Sequence, residues 1–138
     1  MTRENSKPIK VTLSGSFHKN PHGLAREYRE LIQNQCQVLS PRSLDFEDES
    51  LLFVRNRVER QDSVNRIESF HLQAIALSDF LWLHAPHGYV GISGAMEIGY
   101  AIALGIPVYS TVDLQDQTLN SFITKVPSVF AAIEQMGA

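Results

Sequence analysis

The sequence predicts a doubly wound, mostly parallel α/β fold, with a five-stranded sheet and helices on both faces. Short apolar or β-branched runs alternate with longer segments of helical periodicity along the 138 residues. One run, residues 80–84 (FLWLH), is nearly all apolar, which is typical of a central parallel strand covered on both faces. A chain of this length is the size of one domain, so residues 1–138 are predicted to be a single unit.

The predicted elements follow from where apolar periodicity starts and stops, and from the turn and capping residues between them. The first strand stops at Gly15-Ser16, Asp62 or Ser63 caps the helix before the central strand, and Ser128 caps the closing helix. The predicted strands are 9–14, 36–39, 80–84, 106–110 and 122–126, and the predicted helices are 23–34, 62–77, 94–104 and 128–136, with a loop or short helix at 113–120.

Two segments carry no clear pattern of helix or strand. Residues 1–8 are polar and predict a flexible tail. Residues 41–61 contain a run of acidic residues followed by arginines. This second segment fits either a solvated loop with a short helix or a lid over a site, because long excursions in compact domains often have a function.

Composition excludes several classes of partner. The formal net charge is −3, so there is no basic face that would indicate binding to a nucleic-acid polymer. The single cysteine, Cys36, cannot form an intramolecular disulfide, and the first residues lack the apolar run of a secretory signal. No apolar segment approaches the roughly 20 residues needed to cross a bilayer. We therefore expect a cytoplasmic protein that binds neither membranes nor polymeric nucleic acid.

The segment 79–110 contains a strand, a glycine loop, a helix and a second strand, and it holds the first candidate for chemistry. Three glycines recur at intervals of three residues in the loop, and Ser93 lies near the helix start, where a negatively charged group is favoured. The spacing matches neither a dinucleotide fingerprint nor a Walker A loop, so no cofactor is expected. Glu97 lies in the predicted first turn of the helix. There it either complements the helix dipole or, beside a pocket, acts as a nucleophile.

Three histidines could meet at the carboxyl edge of the predicted sheet. They are His22, His84 and His87, and their spacing matches no zinc-binding pattern. No metal site is therefore predicted.

The run AMEIGYAIALGIPV, with the glycine loop before it and a first strand ending in Gly15-Ser16, resembles the nucleoside 2-deoxyribosyltransferase superfamily. That superfamily includes the deoxynucleoside 5′-monophosphate N-glycosidases. The similarity spans residues 9–136 and implies a flavodoxin-like, Rossmann-like fold, a homodimer or higher homo-oligomer, and a small-molecule nucleoside or nucleotide substrate. The glutamate of this run attacks C1′ of the sugar as the base leaves, so the resemblance implies that Glu97 is the nucleophile.

The resemblance also directs attention to the helix before the central strand. The family places there an aspartate that helps to protonate or orient the departing base, and His71 stands at that position. His71 is either a general acid that works near neutral pH or a core histidine without a catalytic part. Glu68 lies one helical turn earlier on the same face and is a candidate for the missing carboxylate.

Further residues are predicted to contact substrate. Tyr89 on the loop is a better candidate to stack on a base than Trp82, which is expected to pack in the sheet. Thr12 and Gly91 replace a tyrosine and an Asp or Ser of the family, and Ser93 is close enough to substitute for the latter. The predicted substrate-binding residues are Gly15, Ser16, His18, Tyr89, Gly91, Ser93, Asn120 and Ser121, the last two at positions where the family reaches into the neighbouring subunit's site.

Two functions are consistent with these residues. The first is cleavage or transfer at an N-glycosidic bond, as an N-glycosidase or a nucleoside deoxyribosyltransferase. The second is a catalytically silent module that binds a nucleotide-like ligand, which the departures at Thr12, His71 and Gly91 leave open. A phosphoribohydrolase of the lysine-decarboxylase-like type fits less well, because its motif P-G-G-x-G-T-x-x-E brings proline and glutamate closer together than Pro86 and Glu97.

Overall fold

Five parallel strands form one sheet in the order β2-β1-β3-β4-β5 in the computed structural model, which describes residues 7–45 and 62–137. This is the strand order of flavodoxin-like folds, in which the sheet grows outward from β1 and β3 in both directions. The strands are Lys10–Gly15 (β1), Gln37–Ser40 (β2), Phe80–His84 (β3), Val108–Ser110 (β4) and Thr124–Lys125 (β5), and the helices are Pro21–Gln33 (α1), Val64–Leu77 (α2), Ile92–Ala103 (α3), Gln117–Asn120 (α4) and Val129–Met136 (α5).

Helices cover both faces of the sheet, and each face has its own apolar core. Successive side chains of a strand point to opposite faces, so β3 contributes to both. Trp82 joins the core under α1 and α5, and Leu83 joins the core under α2 and α3. All five residues of β3 are buried. The predicted doubly wound α/β fold and the burial of Trp82 in the sheet are thus confirmed.

Two predicted segments fall largely outside the part of the chain that the structure describes. Residues 1–6 belong to the predicted tail, and residues 46–61 belong to the predicted loop or lid. Both predictions stay open.

Helix α1 begins at Pro21, two residues before the predicted start. Asn20 has a left-handed backbone conformation, with φ of 50°, and its side chain accepts a hydrogen bond from the Gly23 amide as the N-cap. Proline suits the first helical position because it has no amide hydrogen to leave unpaired. Strand β4 is shorter than predicted, since Pro107 cannot donate to the hydrogen-bond ladder.

Helix α3 also begins two residues early, at Ile92 instead of Gly94, and this changes the position of the candidate nucleophile. The Gly91 carbonyl accepts a hydrogen bond of 2.9 Å from the Ala95 amide, which places Gly94 inside the helix. Glu97 therefore lies in the second turn and not in the predicted first turn. Because the effect of the helix dipole falls off beyond the first turn, complementing the dipole is a weaker explanation for this carboxylate.

Candidate active site

The first residues of α3 pack closely against the carboxyl end of β1, and this contact forms the floor of the site. Gly15 has a φ of +129°, and a Cβ added to it would lie 1.9 Å from the His84 carbonyl oxygen. A Cβ added to Gly94 would lie 4.0 Å from the Gly15 Cα. Only glycine satisfies both the backbone conformation and the close approach at position 15. The carboxyl edge of a parallel sheet, where such turns lie, is the usual place for a ligand.

The three predicted catalytic residues lie together beside this turn. Glu97 comes from α3, and both His71 and Glu68 come from α2. The His71 Nε2 atom is 3.4 Å from the Glu97 Oε1 atom, and Glu68 forms a hydrogen bond with Glu97. Glu97 is only 6 % exposed. The packing of α2 against α3 thus joins two carboxyl groups and an imidazole in one buried cluster.

Two buried serines hold the His71 ring at both nitrogens. The Ser14 Oγ atom is 2.8 Å from Nε2, and the Ser40 Oγ atom is 2.6 Å from Nδ1. A hydroxyl can either donate or accept, so both serines can stay bonded to His71 whichever nitrogen carries the proton. The edge of the Phe17 ring also packs against the imidazole. His71 is consequently held in one orientation, with Nε2 directed at Ser14 and Glu97.

Sequence reasoning did not single out Ser14 or Ser40. A weak signal for Ser14 was present, because Thr12 and Ser14 are two residues apart and therefore place polar groups on the same face of a buried strand. Ser40 ends β2, and nothing in its surroundings in the sequence indicates a bond to a histidine on a distant helix.

Glu97 is the ionised member of the carboxyl pair. Burial disfavours its charged form, but the hydrogen bond and electrostatic interaction with His71, with hydrogen bonds from Glu68 and Ser14, outweigh that cost. The pKa of Glu97 therefore lies below its ordinary value. A buried anionic oxygen at this position has little solvent around it to weaken its nucleophilicity.

Glu68 is the protonated member. Burial raises the pKa of Glu68 to about 9, and the hydrogen bond and negative charge of Glu97 act in the same direction. Its Oε2 atom is buried and has no hydrogen-bond partner among the described residues. Two carboxyl groups in contact share one proton because they cannot both ionise cheaply. The site therefore offers a carboxylate and a carboxylic acid side by side.

Several predicted substrate-binding residues lie in the loop after β1, in the loop before α3 or at the start of α3. Ser16 is 4 % exposed, and its Oγ atom lacks a hydrogen-bond partner among the described residues. Gly91 is the N-cap of α3, without a side chain to cap the helix, and Ser93 is the exposed second residue of that helix. The Tyr89 ring lies beneath Lys19, whose Nζ atom is 4.5 Å from the ring centre. His18 is half-buried in the loop after β1.

Other predicted or considered residues have their polar atoms engaged elsewhere. Thr12, which replaces the family tyrosine, is fully buried, and its hydroxyl lies 2.8 Å from that of Ser78. The Asn120 side chain accepts a hydrogen bond from the Leu114 amide, and the Ser121 hydroxyl donates to the Thr118 carbonyl. Within this one chain, Asn120 and Ser121 stabilise their own segment. Their role toward a neighbouring subunit stays a prediction.

The scan against protein-family models and the search of curated proteins find no match. Among solved structures, the chain is similar to the CMP N-glycosidase BcmB from Clostridium botulinum, with a TM-score of 0.53 and 13 % sequence identity. The alignment covers 93 % of this chain and 97 % of that chain. The two proteins share a fold. This agrees, at the level of the fold, with the resemblance found in the sequence.

The histidines considered as metal ligands do not form a cluster in the described part of the chain. Within residues 7–45 and 62–137, no group of three His, Cys, Asp or Glu side chains is arranged to hold a metal ion. His84 instead bonds to Glu27 and to the Lys19 carbonyl. No helix in these residues is long and apolar enough to span a membrane.

Proposed function

We propose that the protein cleaves the N-glycosidic bond of a nucleoside or a nucleoside 5′-monophosphate, with Glu97 as the nucleophile. The observation that carries this proposal is the contact between buried Glu97 and half-buried Glu68, whose pKa values are shifted in opposite directions. Displacement at an anomeric carbon needs one carboxyl group that attacks or stabilises positive charge and one that gives a proton to the leaving group. The fold shared with a CMP N-glycosidase supports the same chemistry.

In the first step, a Glu97 carboxylate oxygen attacks C1′ and forms a glycosyl ester. The bond between C1′ and the base nitrogen breaks, and its electron pair moves onto the base. Glu68 gives its proton to the base, so the base leaves neutral and Glu68 becomes a carboxylate. His71 and Ser14 keep Glu97 ionised before the attack, because they stabilise its negative charge.

In the second step, water attacks C1′ and Glu68 takes a proton from it. The ester bond breaks, its electron pair returns to Glu97, and the free sugar or sugar phosphate leaves. Esterified Glu97 carries no charge, and this removes one of the causes that raise the pKa of Glu68. Glu68 is thus better suited to act as a base in this step than in the first. An acceptor base in place of water would give transfer instead of hydrolysis.

The loops around the pair provide groups suited to the rest of the substrate. Tyr89 offers an aromatic face for the base. Ser16 has a buried hydroxyl without a partner among the described residues, and Ser93 lies at the start of α3. Hydroxyls and backbone amides at a helix N-terminus suit sugar hydroxyls or a 5′-phosphate.

We also propose that the protein forms a homodimer or a higher homo-oligomer through α3. Four residues one helical turn apart on its outer side are exposed and without charge, namely Ile92, Met96, Gly99 and Ala103. An exposed helix normally presents polar residues to solvent, and an apolar stripe marks an interaction surface. In such an assembly Asn120 and Ser121 would approach the neighbouring subunit's site.

A panel assay tests the proposed reaction. The protein is incubated with nucleosides and nucleoside 5′-monophosphates, with and without an acceptor base, and compared with Glu97→Ala. We expect release of free base by the wild type and none by the variant. Exchange with the acceptor would assign a transferase, and release without exchange would assign a hydrolase. Tight ligand binding without turnover in either form would refute the enzyme and support the silent binding module.

A further inference from the structure

A second buried polar cluster lies on the α1 side of the sheet, away from Glu97, and the proposed reaction does not use it. The His84 Nδ1 atom bonds to Glu27 Oε2, and the His84 Nε2 atom is 2.9 Å from the Lys19 carbonyl oxygen. The Trp82 Nε1 atom donates to Glu27 Oε1 at 3.3 Å. His84 is only 3 % exposed. A buried cluster of ionisable side chains whose polar atoms are all bonded contributes either to the stability of the fold or to the site.

The two partners of His84 fix how its ring is bonded. The Lys19 carbonyl can only accept, so Nε2 carries a hydrogen. The Glu27 carboxylate faces the Nδ1 atom, so both ring nitrogens are bonded and the His84 ring is held in one orientation.

His84 holds both ends of the loop between β1 and α1. Gly15 pairs with it across the sheet, and the Ser16 amide donates to its carbonyl at 3.2 Å. Further along the loop, the Lys19 carbonyl accepts a hydrogen bond from the His84 ring. The Lys19 amide in turn donates to the Ser16 carbonyl at 3.1 Å, which closes the turn. One buried residue therefore sets the shape of residues 15–19.

This loop carries two polar groups at the carboxyl edge of the sheet, where a parallel sheet usually binds its ligand. Ser16 contributes the buried hydroxyl without a partner among the described residues. Lys19 contributes the ammonium group above the Tyr89 ring, and so connects the loop to the segment that leads into α3. If the bond between His84 and the Lys19 carbonyl were lost, both groups would lose their fixed positions.

We infer that Glu27 and His84 are positioning residues for the loop at residues 15–19. His84 clamps the loop, and Glu27 orients the His84 ring from α1. The inference rests on the proposed function only in one respect, which is that the loop binds substrate. Neither residue contacts the reacting atoms, so their loss is expected to weaken substrate binding more than the chemical step.

Two substitutions of His84 separate its two bonds. In asparagine the amide nitrogen occupies the place of Nδ1, so His84→Asn keeps a donor for Glu27 and loses the bond to the loop. In glutamine the amide nitrogen can reach the place of Nε2, so His84→Gln keeps the bond to the Lys19 carbonyl. We expect hydrogen exchange at the Lys19 amide to become at least about tenfold faster in His84→Asn and to change less than about threefold in His84→Gln. Equal exchange in both variants would overturn the inference.

The experiment includes a fold check and a second variant. Trp82 is the single tryptophan of the chain, so its fluorescence reports whether each variant keeps this cluster buried. Should His84→Asn unfold, Glu27→Gln decides, because it removes the charge and keeps the shape. We expect exchange at the Lys19 amide to be faster in Glu27→Gln than in the wild type, and unchanged in the exposed control Glu134→Gln. An unchanged exchange rate in Glu27→Gln would overturn the inference.

Hydrogen exchange needs no substrate, so this result stands even if the proposed reaction fails. With a substrate in hand, Glu27→Gln is expected to raise KM by about tenfold and to change kcat by less than about twofold. A fall in kcat at unchanged KM would contradict a positioning role.

Discussion

At the scale of single residues, the proposed reaction depends on two glutamates whose pKa values are shifted in opposite directions. Glu97 is buried against His71 and Ser14, which favour its charged form. Glu68 is next to that charge and is partly desolvated, which favours its neutral form. When the surroundings of two carboxyl groups raise one pKa and lower the other, the group with the raised pKa is the acid and the other is the nucleophile, as in glycosidases in general.

The pH dependence of activity follows from these two groups. The proposed reaction needs Glu97 ionised and Glu68 protonated, and the pKa of Glu97 is lowered while that of Glu68 is raised to about 9. Activity should therefore persist through neutral pH and fall as Glu68 loses its proton above about pH 9. The measurement is kcat/KM for base release as a function of pH, which reports groups of the free enzyme.

Replacing Glu68 tests that assignment. Glu68→Gln keeps the shape but cannot give up a proton, so kcat/KM is expected to fall by about 10²- to 10⁴-fold and the decline above pH 9 should disappear. An alkaline decline that survives in Glu68→Gln would assign it to another group.

The sequence identifies the residues of this cluster better than it predicts their protonation states. Glu97 and His71 follow from the resemblance to a family, and Glu68 follows from its helical spacing to His71. Ser14 and Ser40 could not be found in this way, because serine is common and their contacts with His71 join positions 57 and 31 residues apart. Protonation depends on burial and on neighbours that only the folded chain brings together.

At the scale of elements, the turn after β1 is the tightest fit in the site. Gly15 has a positive φ, and a Cβ there would overlap the His84 carbonyl at 1.9 Å. Gly91, by contrast, has a φ of −78°, and a Cβ there would meet the Tyr89 hydroxyl only at 3.7 Å. The two glycines therefore differ in whether a methyl group fits.

Gly15→Ala is expected to lower the free energy of unfolding by at least about 2 kcal/mol, because both the backbone conformation and the space forbid a side chain. The matched control Gly91→Ala should cost about 1 kcal/mol or less, the difference between glycine and alanine at an N-cap. Urea denaturation followed by circular dichroism measures both. An equal loss of unfolding free energy in the two variants would contradict the close approach of β1 to β3.

Elements with a strong apolar pattern were predicted most accurately. Strand β3 has the predicted bounds because all of its residues are buried and nearly all are apolar. The start of α3 was misplaced because Gly94 resembles a loop residue, whereas in the fold it permits close packing of α3 beside Gly15. Local sequence does not reveal that kind of long-range packing.

At the scale of the whole molecule, the two faces of the doubly wound sheet hold two different polar clusters. The face covered by α2 and α3 holds the carboxyl pair, and the face covered by α1 and α5 holds the Glu27–His84 pair. Both clusters reach the carboxyl end of β1, since His71 bonds to Ser14 and His84 pairs with Gly15. The alternation of strand and helix patterns was enough to predict this layered architecture.

Self-association is the prediction that belongs to this scale. Met96 on α3 is 48 % exposed and Ile32 on α1 is 49 % exposed. Since the two lie on opposite sides of the sheet, Ile32 is a matched control for Met96. The wild type is expected to have about twice the chain mass of 15.5 kDa, or a higher multiple, in light scattering after size exclusion. Met96→Lys should yield monomer, because a charge would be buried in the apolar stripe, and Ile32→Lys should not. A monomeric wild type would contradict the proposal.

The central claim is that Glu97 forms a covalent bond with the sugar. The most direct measurement is peptide mass spectrometry after the protein is mixed with a substrate from which it releases base and is quenched in acid during turnover. We expect the peptide that contains Glu97 to gain the mass of one sugar or sugar phosphate, and we expect neither adduct nor base release in Glu97→Gln. Base release by Glu97→Gln at a rate near that of the wild type would contradict the claim.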